Sequence, residues 1–392
     1  MSDHESLDTA LMRALDTVID PELRKPITEV GMVDSATVSE GVATVAVLLT
    51  IEGCPLKNTI EQDVREAALT VDGIEQVDVR IGYMSPEQRS ELKKLLGHSS
   101  RANPFASPDS LTKVYAVVSG KGGVGKSSAT ANLAAAMASA GLKVGVVDAD
   151  VHGFSIPGLL GITQPPTKLE EMILPPVVPL PEAQRQAWEK GHPHQDPGFI
   201  KVISIGMFVE GNQPIAWRGP MLHRALEQFL TDVYFGDLDV LLLDLPPGTG
   251  DIAISMAQLL PGAQLLLVST PQVAAVDVAE RAGTLSLQTE QKVAGIIENM
   301  SAMVMPDGST MEVFGSGGGE VLSQRLRDAL GYEVPLLGSV PLDVSLRSGG
   351  DAGVPVVWSA PDSPAGSAMQ AVADRVLEQK RDLAGKALPL NF

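Results

Sequence analysis

Apolar positions along the first hundred residues change period several times. Leu7, Leu11, Leu15 and Val18 recur at helical spacing until Asp20-Pro21 stops them. Val38-Ser39-Glu40-Gly41-Val42 then reads as strand, turn and strand, and Ala43–Val47 alternates as a half-buried strand does. A helix is predicted over 58–69, a strand over 74–81 and a short charged helix over 86–96. Residues 1–96 therefore form a small α+β unit, large enough to fold alone. Residues 97–110 hold four serines, two prolines and little that is apolar, the composition of a linker semi-extended at Pro104 and Pro108.

From Leu111 the pattern becomes short, apolar runs separated by helical segments. The runs are 114–119, 144–148, 240–245, 265–269, 294–298 and 336–340. Strands buried on both faces read this way, so 111–380 is expected to be an α/β domain with a mainly parallel sheet, followed by a tail, 381–392. Between 161 and 198 prolines crowd the chain, and we expect an irregular insertion with one short helix near 182–190. No internal repeat is visible.

Composition narrows the classes. The chain has 392 residues, 44% hydrophobic and 20% charged, a globular balance sized for two or three domains. Its net charge of −19 disfavours nucleic acid and anionic membrane as partners. Cys54 is the sole cysteine, so no internal disulfide framework exists. The acidic start lacks a signal-peptide pattern and no apolar run approaches ~20 residues, so a cytoplasmic protein is expected.

The most informative segment is Gly120-Lys-Gly-Gly-Val-Gly-Lys-Ser127, which satisfies G-x-x-x-x-G-K-[ST] between an apolar strand and an Ala-rich helix. Glycines let backbone N–H groups turn inward around phosphate oxygens, and the following helix N-terminus adds positive potential. The candidate nucleotide-binding residues are Gly120, Lys121, Gly122, Gly123, Val124, Gly125, Lys126, Ser127 and Ser128. Lys126 would reach the β- and γ-phosphates of ATP, and Ser127 would ligate Mg2+. Two apolar strands end in acids, one at Asp148-Ala-Asp150 and one at Asp244-Leu-Pro-Pro-Gly248, where open parallel sheets place ligands. Asp244 suits a Walker-B-type position and Asp150 the orientation or activation of the attacking water. Ser127, Asp150 and Asp244 form the candidate magnesium set, and Lys121, Lys126, Asp150 and Asp244 the candidate catalytic set.

The second lysine, Lys121, makes the K-G-G-x-G-K form that resembles the deviant Walker A motif of ParA/MinD/Mrp ATPases. Further segments match along 111–360: Asp148-Ala-Asp-Val-His-Gly153, Trp217-Arg-Gly-Pro-Met221, Asp244-Leu-Pro-Pro-Gly-Thr-Gly-Asp251, Thr270-Pro-Gln272, Glu298-Asn-Met300, Phe314-Gly-Ser-Gly-Gly-Gly-Glu320 and Gly349-Gly-Asp-Ala-Gly353. This set resembles the Mrp/ApbC family of iron–sulfur cluster carrier ATPases. The N-terminal unit, with Asp20-Pro-Glu22, Gly31-Met-Val33, Leu49-Thr50 and Gly53-Cys-Pro-Leu56, resembles the metal–sulfur cluster assembly domain attached to that family. The resemblance implies an ATP-driven homodimer that carries clusters to apo iron–sulfur proteins or works with assembly factors. It also implies that Lys121 reaches the partner's nucleotide, that Asn299 reads the adenine edge, and that Pro341 and Asp343 lie in the loop over the base.

One departure bears on the cargo. Where the family carries a C-x-x-C, this chain reads Met300-Ser-Ala-Met-Val-Met-Pro-Asp-Gly308, with no cysteine. Clusters are held mainly by thiolates, so a cluster bridging two copies through the usual ligands is not expected. Met303 and Met305 are thioethers that suit apolar packing. Cys54, in a strand-to-helix turn, is either a reactive or cluster-binding thiol or a buried structural one. His192, His194 and Asp196 read as a solvated loop. A nucleotide switch acting through partner recruitment, as in ParA and MinD, is the alternative function.

Overall fold

The computed structural model describes residues 6–51, 56–97, 102–151, 153–193, 195–208, 219–248, 251–305 and 307–379. Cys54, His152, His194, Trp217, Arg218, Thr249, Gly250 and the tail 381–392 lie outside the described residues.

In the N-terminal unit, strands β1 (Val33–Ser39), β2 (Val42–Leu49) and β3 (Gln76–Tyr83) form one sheet in that order, β1 antiparallel and β2–β3 parallel. Alternate residues of β2 are fully buried, as the period of the sequence requires. The helices Leu7–Leu15 and Lys57–Leu69 cover it, the first capped by Ser6, whose hydroxyl accepts from Thr9 N–H. A capping box at Ser85 and Gln88 starts the charged helix Pro86–Leu95.

The large unit contains β4 (Lys113–Ser119), β5 (Lys143–Asp148), a hairpin β6 (Thr167–Leu169) and β7 (Met172–Leu174), β8 (Val177–Pro179), β9 (Phe199–Ser204), β10 (Val240–Asp244), β11 (Gln264–Ser269), β12 (Val293–Ser301), a second hairpin β13 (Met303–Val304) and β14 (Thr310–Met311), and β15 (Leu336–Pro341). Eight of these make one sheet, β15-β12-β11-β4-β10-β5-β9-β8, in which only β8 runs antiparallel. All six predicted strands are present and parallel. Separate apolar clusters cover the two faces of this sheet. The Ala-rich helix Lys126–Ser139 sits in one of them with most of its residues buried, because small side chains let a helix approach the sheet closely.

Three expectations need correction. The 161–198 insertion is not irregular: it supplies the β6–β7 hairpin and the edge strand β8 as well as the helix Glu182–Gly191. The described part of the linker is not semi-extended at Pro104 but packed. Pro104 opens a single 3-10 turn, Phe105 is buried edge-on to Phe235, and Asn103 donates to the Leu259 carbonyl. Finally, the small unit does not close its own core, because Leu169, Met172, Leu174 and Tyr234 of the large unit complete it.

Candidate P-loop nucleotide site

Strands β4, β10 and β5 lie side by side, so their C-terminal ends bring the glycine loop, Asp244 and Asp148-Ala-Asp150 to one edge. The loop's shape depends on left-handed backbone that glycine adopts freely, at Gly123 (φ +78°) and Gly125 (φ +82°), the latter opening the helix Lys126–Ser139. At Gly125 a Cβ would fall 2.1 Å from Asn299 Nδ2. A cavity of about 370 Å³ opens over the loop, bounded by Gly122, Lys126, Ser127, Asp150 and Pro247 among others.

Lys126 is only 6% exposed. Its ammonium lies 2.7 Å from Asp244 Oδ2 and 3.7 Å from Asp150 Oδ2, and donates to Ser127 Oγ at 3.4 Å. Ser127 Oγ in turn donates to Asp244 Oδ2 at 2.6 Å. The sequence-predicted Lys126, Ser127, Asp150 and Asp244 are thus brought together around one small volume. A serine hydroxyl bonded to a buried carboxylate is the hard oxygen pair Mg2+ takes, completed by water and phosphate oxygens. The cradle fits a nucleotide phosphate chain for the same reason: it offers a buried cation, a glycine loop leading into a helix N-terminus and open space.

Two supporting residues, Thr130 and Ser204, were missed. Thr130 Oγ1 donates to Asp244 Oδ1 at 2.8 Å, which holds the other carboxylate oxygen. Asp148, fully buried, accepts from Asp150 N–H, Ile156 N–H and Ser204 Oγ. Burial, reinforced by the charge of Asp244, pushes the Asp148 carboxyl up to about 7. The Thr130 position one turn after Lys126 is readable on a helix; Ser204 beside Asp148 is not, because the pairing is made only by the sheet.

Lys121 does not project freely. Its Nζ donates to Gln272 Oε1 at 3.0 Å, which ties the loop to the residue preceding the helix Val273–Thr284. Asn299 is 2% exposed near the end of β12, its Nδ2 donating to the Val124 carbonyl while its buried Oδ1 has no partner among the described residues. Such an acceptor is costly unless something donates to it. Met300, next in sequence, takes a positive φ of 57°. Pro341 ends β15 beside Ser301, and Asp343 caps two helices by accepting from Ser345 and Ala365 N–H. Burial opposes the Asp343 charge, but those bonds prevail and hold its carboxyl below the usual range.

With this geometry in place, similarity to known proteins becomes decisive. The model of the NUBPL iron-transfer P-loop NTPase matches residues 110–377.

The chain belongs to this NTPase family.

The iron-sulfur cluster assembly protein family model also matches, over residues 8–81. An iron-sulfur cluster carrier protein of Mycobacterium tuberculosis is 55% identical over 388 residues, 98% of this chain and 97% of that relative. One from Synechocystis is 36% identical over 369 residues, 94% of this chain and 96% of that relative. A solved nucleotide-binding protein from Archaeoglobus fulgidus, in complex with ADP, superposes with a TM-score of 0.51 at 32% identity, covering 65% of this chain and 91% of that one. Membership of an NTPase family accounts for the seated lysine and the acidic strand ends. Among the described residues no helix is long and apolar enough to cross a membrane, and no group of three or more His, Cys, Asp or Glu is placed to hold a metal ion.

Proposed function

We propose that this protein is a magnesium-dependent ATPase that works as a nucleotide-dependent homodimer in the cytoplasm and delivers iron–sulfur clusters to apoproteins. The observation that carries the reading is the seating of Lys126 among Ser127, Asp150 and Asp244 at the end of a glycine loop. ATP would displace Asp244 from Lys126, so the ammonium exchanges a carboxylate for β- and γ-phosphate oxygens. Residues from Gly120 to Ser128 hold the phosphate chain by backbone N–H groups. Ser127 and Asp244, with Asp150 near them, would hold Mg2+, which supplies charge neutralisation when bound. Asp150 would orient a water whose oxygen bonds the γ-phosphorus as the bond to the bridging oxygen breaks; that oxygen leaves on ADP and the water's proton passes to the released phosphate. Asn299 Oδ1, which has no partner among the described residues, suits the exocyclic amine of adenine, with Pro341 and Asp343 in the loop beside it. Lys121 would leave Gln272 to reach the partner's nucleotide.

The domain limits that go with this reading are 1–96, a linker 97–110, the ATPase domain 111–380 and the tail 381–392. Cys54 is the one thiolate the chain can offer a cluster. Reconstitution under anaerobic conditions, followed by iron and sulfide quantitation and ATP-stimulated transfer to an apo-ferredoxin, tests the delivery role. Bound cluster lost in Cys54→Ala is the expected result; a wild type without bound iron or sulfide removes direct carriage. The cysteine-free stretch 300–308 favours a second reading, in which the ATPase switches the recruitment of assembly partners without holding a cluster. Partner capture that requires ATP but neither iron nor sulfide would support it.

A further inference from the structure

The 161–198 insertion and strand β9 meet the small unit at a charged, buried joint. The Asp20-Pro21-Glu22 turn enters this joint with Asp20 5% and Glu22 8% exposed. Asp20 accepts from Glu22 and Leu23 N–H, which fixes the turn. Glu22 Oε1 accepts from Thr167 Oγ1 at 2.6 Å, a bond from the small unit to β6. Below lies Lys201 of β9, 1% exposed, its Nζ donating to the Tyr234 carbonyl at 3.4 Å and lying 4.9 Å from the Tyr234 ring centre. Arg24, with φ +58°, stacks on Phe199 of the same strand.

Burial of these charges costs stability, since charged groups taken from water recover little net energy. Burial pushes the Glu22 carboxyl up to about 7 and the Lys201 ammonium down to about 7, so each strains toward neutrality. Arg24, Lys143 and Lys201 also border a cavity of about 340 Å³, which leaves the joint incompletely packed. A contact of this kind can loosen locally while the apolar seam of Leu169, Met172, Leu174 and Tyr234 that completes the small unit's core stays closed.

The same strand runs on to the nucleotide site. Three residues after Lys201, Ser204 donates to Asp148 Oδ2 at 3.0 Å, and Asp148 accepts the N–H of Asp150. We propose that the Asp20-Pro21-Glu22 turn is a reversible intramolecular plug, and that Lys201 and Thr167 are positioning residues through which its seating on β6 and β9 sets the turnover of the nucleotide site. The proposal rests on the ATPase reading for its kinetic half alone. Physical continuity is supplied by Glu22, whose carboxyl accepts from Thr167 and feels the charge of Lys201, and then by the Lys201 strand, Ser204, Asp148 and Asp150; it requires no change in the phosphate contacts.

Full-length Thr167→Val, with Thr167→Ser as the conservative rescue, is the test, read by hydrogen exchange and steady-state kinetics. In Thr167→Val, exchange over 19–27 and 167–174 is expected to rise about tenfold, with no comparable rise in the strand 113–119. kcat is expected to change about threefold or more at unchanged KM, and Thr167→Ser to restore both. Ser204→Ala should alter kcat without loosening 19–27. Loosened exchange with wild-type kcat, or unchanged exchange, overturns the proposal. If the wild type hydrolyses no ATP, the ATPase reading fails separately, and the coupling is decided by exchange alone: ATP must alter protection at 167–174 in wild type and not in Thr167→Val, and no response in wild type overturns it.

Discussion

Gly125→Ala probes the joint between the glycine loop and Asn299. Residue 125 has φ +82°, where an alanine costs about 1–2 kcal/mol. Its new Cβ would lie 2.1 Å from Asn299 Nδ2 and 3.4 Å from Asn299 Cγ, so the amide must leave. Leaving breaks the 2.9 Å bond to the Val124 carbonyl and strands buried polar groups, a further cost of about 1–3 kcal/mol. The sum is about 2–5 kcal/mol, of which the part borne by the loop should weaken ATP binding at least tenfold. The assay is a double-mutant cycle: calorimetric titration of Mg-ATP into wild type, Gly125→Ala, Asn299→Ala and the double variant. Removing Asn299 removes the collision, so the double variant should bind better than the sum of the singles by about 1–3 kcal/mol of coupling. Additive losses, or a Gly125→Ala variant with wild-type affinity, would refute the packing argument.

Other outcomes follow from single contacts. Thr130→Val removes a hydrogen bond to the buried Asp244 carboxylate and should cost about 1.5–3 kcal/mol of stability, with Thr130→Ser restoring it, by chemical denaturation. Asp148 keeps its proton in the folded chain between 3.8 and about 7, whereas the unfolded chain has released it, so this residue makes stability fall as pH rises through that window. Asp148→Asn removes the slope; its stability relative to wild type should improve from pH 5 to pH 8 by at most about 1.4 kcal/mol per unit, and an unchanged difference would contradict the assignment. Gln272→Ala releases Lys121 from its intrachain acceptor and should lower the ATP concentration needed for dimerisation about two- to tenfold, by sedimentation velocity.

Much of the scaffold was legible because its signals are local. Doubly buried strands such as Val240–Asp244 read as apolar runs, and the glycine loop sits between a strand and a helix in sequence as it does in space. Strand β9 escaped because Lys201 interrupts Phe199–Ile203 and the prolines before it imply disorder of pattern; the Tyr234 carbonyl and ring, with the nearby Asp20 and Glu22 carboxyls, accommodate a lysine there. Strands β6, β7 and β8 span three residues each, too few for a period of two to show. Within the site, residue types predicted the polar atoms around Lys126, but the support from Ser204 and the parking of Lys121 on Gln272 depend on partners far away in sequence.

The central claim is that Lys126, Ser127, Asp150 and Asp244 form a working ATPase site. Phosphate release from Mg-ATP by purified wild type and by Lys126→Ala, the latter checked for native hydrogen-exchange protection over the strand 113–119, tests it most directly. The account predicts magnesium-dependent release in wild type and a loss of at least about a hundredfold in Lys126→Ala, since a preorganised charge at the transferred phosphate is removed. No release from wild type, or equal release from the folded variant, would contradict it.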